Sequence, residues 1–256
     1  MVNIIFYGVS CFNIITEKGL NIWIDPYLTE NKHSPIKLGD VEDADLVLVS
    51  HSSFDHIGEN MDGTFDAFEI VKKTGAVLIG PLDVSVHARN YGIPSEQIQN
   101  AGIFGGELKL MGIKVKGIES HHGIRTAISG ERVLVGMDQG FLLTLENDVR
   151  IYHSGDTCTF NDLRYVGELY HPNIMMLESG AVGPQYSPVT NPFEVATVVR
   201  WVGPDVFIPM HDPYNIFTDK VVEYVKAAAP YIKVIPMKPG DTIRYTPFKL
   251  EEMNKQ

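Results

Sequence analysis

The stretch Asp45-Leu46-Val47-Leu48-Val49-Ser50-His51-Ser52-Ser53-Phe54-Asp55-His56 decides how this chain is read. Its first half is a short, β-branched apolar run, the pattern of a strand buried on both faces. Its second half places two imidazoles and a carboxylate directly where that strand ends. Three later apolar runs end the same way. Residues 113–118 lead to His121 and His122, 149–152 to His153 and Asp156, and 206–210 to His211. In sheets flanked by helices, active sites form where strand C-terminal ends meet. A lone polar residue at a strand end is ordinary; donors at four such ends point to one metal site, mononuclear or polynuclear.

Composition narrows the class. The chain has 256 residues, 44% apolar and 21% charged, the balance of a globular protein with a substantial core. A net charge of -11 with no Lys/Arg run argues against a nucleic-acid partner, whose phosphates need clustered cations. Two cysteines, Cys11 and Cys158, are too few for a disulfide framework. The opening Met1-Val2-Asn3-Ile4-Ile5-Phe6-Tyr7-Gly8 lacks the basic start and long apolar core of a signal peptide, and no apolar run has the length of a membrane span. The expectation is a cytoplasmic protein with no membrane partner.

The opening third reads as short strands at 3–7, 11–16 and 20–24, the last closed by Asp25-Pro26. An irregular loop over 27–44 precedes the strand at 45–50. Helices are predicted over 64–73 and 82–91, around a strand at 76–79. Strands follow at 109–118, 132–136 and 141–145, then helices at 163–170, 192–202 and 220–229, the second capped by Asn191-Pro192. Late strands are expected at 174–177, 206–209, 232–235 and 242–245. With no linker or low-complexity segment, the arrangement predicts one domain over 1–256, two central sheets with helices outside.

At this point the residues resemble the metallo-β-lactamase superfamily, especially its UlaG-like or UPF0173 metal-dependent hydrolases. Tyr7-Gly8-Val9-Ser10-Cys11-Phe12 followed by Ile22-Trp23-Ile24-Asp25-Pro26 looks like the family opening. His51–His56 sits at the HxHxDH motif, Tyr152-His153-Ser154-Gly155-Asp156-Thr157 matches YHxGDT, and Ile208-Pro209-Met210-His211 matches the PMH ending. The resemblance covers nearly the whole chain. It implies a four-layer αββα sandwich with one or two divalent ions (zinc, manganese or iron) at one edge of the paired sheets. It further implies that Asp55, His56 and His211 form one half-site, that His51 and His121 serve the other, and that Asp156 bridges them.

Two positions depart from the family. Ser53 stands where the motif has its second His, and a neutral hydroxyl is a much poorer ligand than imidazole. Three protein ligands plus water still suffice for a catalytic zinc, so the expectation is one firmly held ion and a second that is weak, exchangeable or absent. Val9 occupies a position where relatives often carry His. His122 is the alternative to His121 as ligand, the family position favouring His121. His153 is expected to orient its loop. Asp25 either holds a ligand imidazole or caps its strand. Cys158 reads as a small buried thiol. Arg125, Tyr186, Tyr214 and Asn215 lie in segments that could line a pocket.

A bound divalent cation activates water and polarises an ester, amide or phosphoryl oxygen, with Asp55 placed to orient that water or accept its proton. There is no G-x-S-x-G and no P-loop, which sets aside serine chemistry and NTP hydrolysis. The resemblance to UlaG-like hydrolases implies lactone or phosphate-ester substrates, and hydrolysis of a lactone or other small-molecule ester is the leading expectation. Phosphodiester hydrolysis is the alternative, followed by a catalytically altered metal- or ligand-binding member and by redox chemistry at iron. Homo-oligomers are compatible with the family.

Overall fold

The computed structural model describes residues 1–100, 105–123, 125–128, 131–134, 138–181 and 190–247. Six strands come from the first part of the chain: β1 (Val2–Gly8), β2 (Cys11–Ile15), β3 (Asn21–Ile24), β4 (Leu46–Leu48), β5 (Val77–Gly80) and β6 (Ile98–Asn100). The rest supplies β7 (Glu107–Leu110), β8 (Ile113–Glu119), β9 (Arg125–Ile128), β10 (Glu131–Leu134), β11 (Gln139–Thr144), β12 (Arg150–His153), β13 (Ile174–Glu178), β14 (Val206–Met210), β15 (Lys233–Val234) and β16 (Thr242–Tyr245). They form two seven-stranded sheets, ordered β16-β1-β2-β3-β4-β5-β6 and β15-β14-β13-β12-β11-β8-β7, with β9 and β10 as a separate hairpin.

Both sheets are mixed. The outer strands pair as antiparallel meanders, while β3 through β6 and β12 through β15 run parallel. Parallel strands need crossovers, and helices supply most of them: α1 (Phe54–Ile57), α2 (Asp66–Thr74), α3 (Leu82–Asn90), α4 (Leu163–Tyr165), α5 (Pro192–Val202) and α6 (Thr218–Ala228).

The two-residue period of the strands sorts the core into three layers. Leu46 and Leu48 of β4 point between the sheets, joining Ile4, Phe12, Ile22 and Ile24 against Phe141, Leu143, Ile151, Met176 and Ile208 of the second sheet. Val47 and Val49 point the other way, against Phe68, Ile70 and Val71 of α2 and Val84 and Ala88 of α3. On the far side Tyr152, Met175, Leu177 and Phe207 pack on Val195, Val198 and Val199 of α5 and Val221 and Val225 of α6. This is the expected αββα order.

Three expectations are corrected. The strand predicted over 109–118 is the hairpin β7–β8, because Met111 (φ +51°) and Gly112 (φ +83°) both take left-handed backbone, the requirement of a tight two-residue hairpin turn. The helix predicted over 163–170 is one short turn, α4, continued by a π-turn over Val166–Tyr170. Cys158 is half-buried rather than in the core. Tyr186 and the end of the strand expected over 132–136 lie outside the described residues, as does the side chain of Arg125. Among the described residues no helix is long and apolar enough to cross a membrane.

Candidate metal centre

The ends of β3, β4, β8, β12, β13 and β14 open onto one edge of the sandwich, and the polar residues that follow them converge there. Beyond β4 the chain makes α1, which sets Asp55 and His56 side by side, both buried. The helix closes on Gly58 (φ +73°), where a Cβ would stand 2.5 Å from the Pro26 carbonyl and 2.6 Å from the Asp66 side chain. Only glycine fits. Beyond β12, Gly155 (φ +59°) makes the turn that presents Asp156; a Cβ there would meet the Ser50 side chain at 2.9 Å. His211 follows β14 with φ +67°, uncommon for a residue with a side chain, and its N–H donates to the Val9 carbonyl at 2.8 Å. Val9 thus anchors the His211 backbone.

Five of the expected residues meet. Nε2 of His56 lies 3.2 Å from Asp156 Oδ1, and Nε2 of His211 lies 3.2 Å from Asp156 Oδ2 and 3.3 Å from Asp55 Oδ2. The two Nε2 atoms are 3.4 Å apart. The His51 ring stands over that of His56 at 4.0 Å between centroids. His51, His56 and Asp156 form one set whose donor atoms all lie within 4.8 Å of one another; Asp55, His56 and His211 form a second.

The hydrogen bonds behind these side chains fix which nitrogen faces the centre. Asp25, held at φ +47°, accepts from the Ser50 N–H and hydroxyl (2.7 Å each) and from Nδ1 of His56 (2.8 Å). With the Ser50 hydroxyl committed to Asp25, the 3.0 Å contact between Ser50 Oγ and His51 Nδ1 makes the imidazole the donor. The lone pair of His51 is then on Nε2, an atom buried without a hydrogen-bond partner. A buried acceptor left bare is costly in protein alone and suits a cation. The donor set of imidazoles and carboxylates, with hydrogen-bond partners behind the Nδ1 atoms of His51 and His56, fits a divalent metal ion.

Electrostatics agree with the geometry. Burial, then the neighbouring His56, hold His51 well below the ordinary histidine pKa, so it stays neutral. Burial opposes charge on His56, but Asp156 and Asp25 outweigh it and raise its pKa well above normal. For His211 burial is likewise outweighed, by Asp156 and the hydrogen bond to Asp55, giving about 9. Asp156 is buried, yet His211 and His56 hold its carboxyl well below the usual range. His56 and His211 are thus the two imidazoles whose carboxylate neighbours favour the charged form over the neutral one.

His121 does not join this group. Its backbone is clamped to the Asp156 turn, donating from N–H to Thr157 Oγ1 (3.0 Å) and accepting from Cys158 N–H (2.9 Å). That pairing sends its ring outward, stacked on Phe160 at 4.0 Å and bonded to Glu119 at 2.9 Å. His122 faces inward instead, 5.5 Å from the His51 ring and with Nε2 3.9 Å from Asp156 Oδ2. His153 is buried at the back, donating from Nε2 to the Ser10 carbonyl and accepting from Gly155 N–H, each at 3.1 Å. It tethers the Gly155 turn to the β1–β2 turn. Ser53, the residue before α1, makes no side-chain cap. Tyr214 is half-exposed against the His33 ring.

Sequence reasoning missed Ser50, Glu178 and Asp138. Glu178 ends β13, and Asp156, Glu178 and His211 form a third set of donor atoms within 4.8 Å of one another. Its signal is in the sequence, where the apolar run 174–177 ends in a carboxylate as the others end in His or Asp. Asp138 precedes β11, fully buried with neither carboxylate oxygen hydrogen-bonded, and burial, then Asp156, raise its pKa to about 7.

Comparison with known proteins agrees with this architecture. Residues 3–211 match the β-lactamase superfamily domain. A UPF0173 metal-dependent hydrolase of Rubrobacter xylanophilus is 31% identical over 94% of this chain and 95% of its own. One from Methanobrevibacter smithii is 32% identical over the same shares. The structure of Igni18, a metallo hydrolase of Ignicoccus hospitalis, superposes with a TM-score of 0.74 at 26% identity, covering 97% of this chain and 99% of that one. The chain belongs to the β-lactamase superfamily and, within it, to the UPF0173 metal-dependent hydrolases.

Proposed function

We propose that this protein hydrolyses a lactone or other small-molecule ester, with one divalent ion firmly held by Asp55, His56, Asp156 and His211. The observation that carries the reading is the convergence of these four buried side chains, each with a donor atom 3.2–3.4 Å from that of another. A divalent ion held there lowers the pKa of water toward neutrality and polarises an ester carbonyl. Asp55 keeps one oxygen toward His211, leaving the other to orient the attacking water and take its proton. Asp25 and Ser50 hold the imidazoles still. His122, the partly open member of the group, faces the rim, where it can touch substrate or help His51 hold a weaker second ion. Phe54 and Tyr214, each about half exposed beside the ligand loops, offer apolar surface to the substrate's body.

Ester chemistry is favoured over phosphodiester chemistry by charge. Among the described side chains, every ion pair of the cluster is between His and a carboxylate. The test joins metal content per chain, on protein purified without chelator or nickel, to turnover of a lactone and aryl-ester panel against bis(4-nitrophenyl) phosphate. Near one equivalent of ion, lost in His211→Ala, with ester turnover dominant, supports the proposal. Dominant phosphodiester turnover overturns the substrate class. No ion after incubation with zinc, manganese or iron overturns the metal centre.

A further inference from the structure

Two of the ligand imidazoles have a built partner on the nitrogen that faces away from the centre: Asp25 for His56 and Ser50 for His51. His211 has none. Its Nδ1 is buried without a hydrogen bond and faces Oε1 of Glu178 at 4.0 Å, itself buried and without a partner. Two bare polar atoms facing each other this closely are unusual, because each costs desolvation with no return.

Glu178 is placed by the sheet. Its register partner in the parallel β13–β14 pair is Met210, so it stands beside the strand end from which His211 springs. Its second oxygen, Oε2, accepts from the Thr157 N–H at 2.9 Å, and its own N–H donates to Ser154 Oγ at 3.2 Å. Ser154 and Thr157 bracket the turn that carries Asp156. One side chain therefore reaches both strand ends whose ligands, Asp156 and His211, must share an ion.

We propose that Glu178 is a positioning residue: it accepts the Nδ1 proton of His211 and ties that imidazole to the Asp156 turn. The inference rests on the metal-centre reading above. The proton count requires such an acceptor. Nε2 of His211 is the nitrogen turned to the centre, 3.3 Å from Asp55 Oδ2 and 3.2 Å from Asp156 Oδ2. Were an ion held through Nε2, the neutral imidazole would carry its proton on Nδ1, and that proton needs an acceptor. Oε1 of Glu178 meets it once the gap closes by about 1 Å, to hydrogen-bond length.

The test is Glu178→Gln, which keeps an oxygen for Thr157 N–H but can turn an amide N–H₂ toward Nδ1. Zinc affinity is measured by competition with a chromophoric chelator and stoichiometry by elemental analysis. The expected result is an unchanged number of ions per chain with a dissociation constant raised about 10- to 100-fold. Unchanged affinity overturns the proposal. So does loss of one ion with the other's affinity intact, which would make Glu178 a ligand. Should the variant not fold, nitrogen-15 spectra of zinc-loaded wild type with labelled histidine decide: a proton on Nδ1 of His211 supports the assignment, and a bare Nδ1 overturns it. If wild type binds zinc and only these readouts fail, the hydrolase reading stands without Glu178; if wild type binds no ion, both fall.

Discussion

A one-residue difference, His121 against His122, shows what a sequence pattern reads at residue scale and what it leaves open. The strand-end rule found the loop, but which ring turns inward depends on backbone bonds between His121 and residues 157–158, which no local pattern reports. Asp25, read as either imidazole holder or strand cap, does the first through its bond to His56. Ser50 and Glu178 escaped notice because their work is defined by partners far along the chain. The inward ring gives the first prediction: His122→Ala weakens uptake of a second ion or raises KM, whereas His121→Ala changes neither. Zinc titration and ester kinetics of the two variants check it, and equal effects would return His121 to the ligand set. Proton competition gives the second. His56 and His211 are held protonated above neutrality by Asp156 and its neighbours, and metal takes neutral imidazole. The zinc dissociation constant should therefore tighten roughly tenfold or more per pH unit between pH 6 and 8.5, reflecting at least one displaced proton. A flat profile would mean the imidazoles are already neutral.

At the scale of elements, patterns with strong periodicity were legible and tight backbone geometry was not. The helix at 192–202 was readable from Asn191 and Pro192, and the structure ends it at the same residues and adds Glu194 as the second half of a capping box. The β7–β8 turn was not, because Met111 takes a left-handed conformation that its residue type disfavours. Asn191→Ala should cost about 1 kcal/mol by urea unfolding, with metal affinity unchanged, since α5 packs on the far face of the second sheet. Gly58→Ala should behave differently. Its Cβ would collide with the Pro26 carbonyl and with Asp66, the side chain that accepts from the Leu28 and Thr29 N–H groups. A loss of roughly 2–4 kcal/mol is expected, together with weaker zinc binding, because the element displaced is the one that carries Asp55 and His56. Stability loss with intact zinc affinity would show that α1 is held from its other end.

For the whole molecule, the sandwich holds its edge open around buried charges that balance only when protons or an ion are present. Burial of neutral His51 and His153 lowers their pKa values, so the stability they contribute is lost as pH falls below the unfolded value near 6.5. His211 acts in the opposite sense. Its folded pKa, about 9, lies above the unfolded value, so its contribution is complete below about 6.5 and disappears as pH rises through 9. His56 adds to that loss. At full development the His211 shift corresponds to roughly 3 kcal/mol, a large part of a domain's net stability. Ion-free protein should therefore be most stable near neutrality and soften toward pH 9. The ion reverses the trend on the alkaline side, since it replaces the lost protons and binds more tightly as they leave, adding about 4 kcal/mol when present at a thousand times its dissociation constant. The gap in Tm between zinc-loaded and chelator-treated protein should accordingly be small at pH 6 and widen steadily to pH 9. Calorimetry of both forms across that range checks it. A gap that is constant with pH would mean that the centre exchanges no protons for its ion, and that the convergence of His56, Asp156 and His211 stabilises the fold independently of metal.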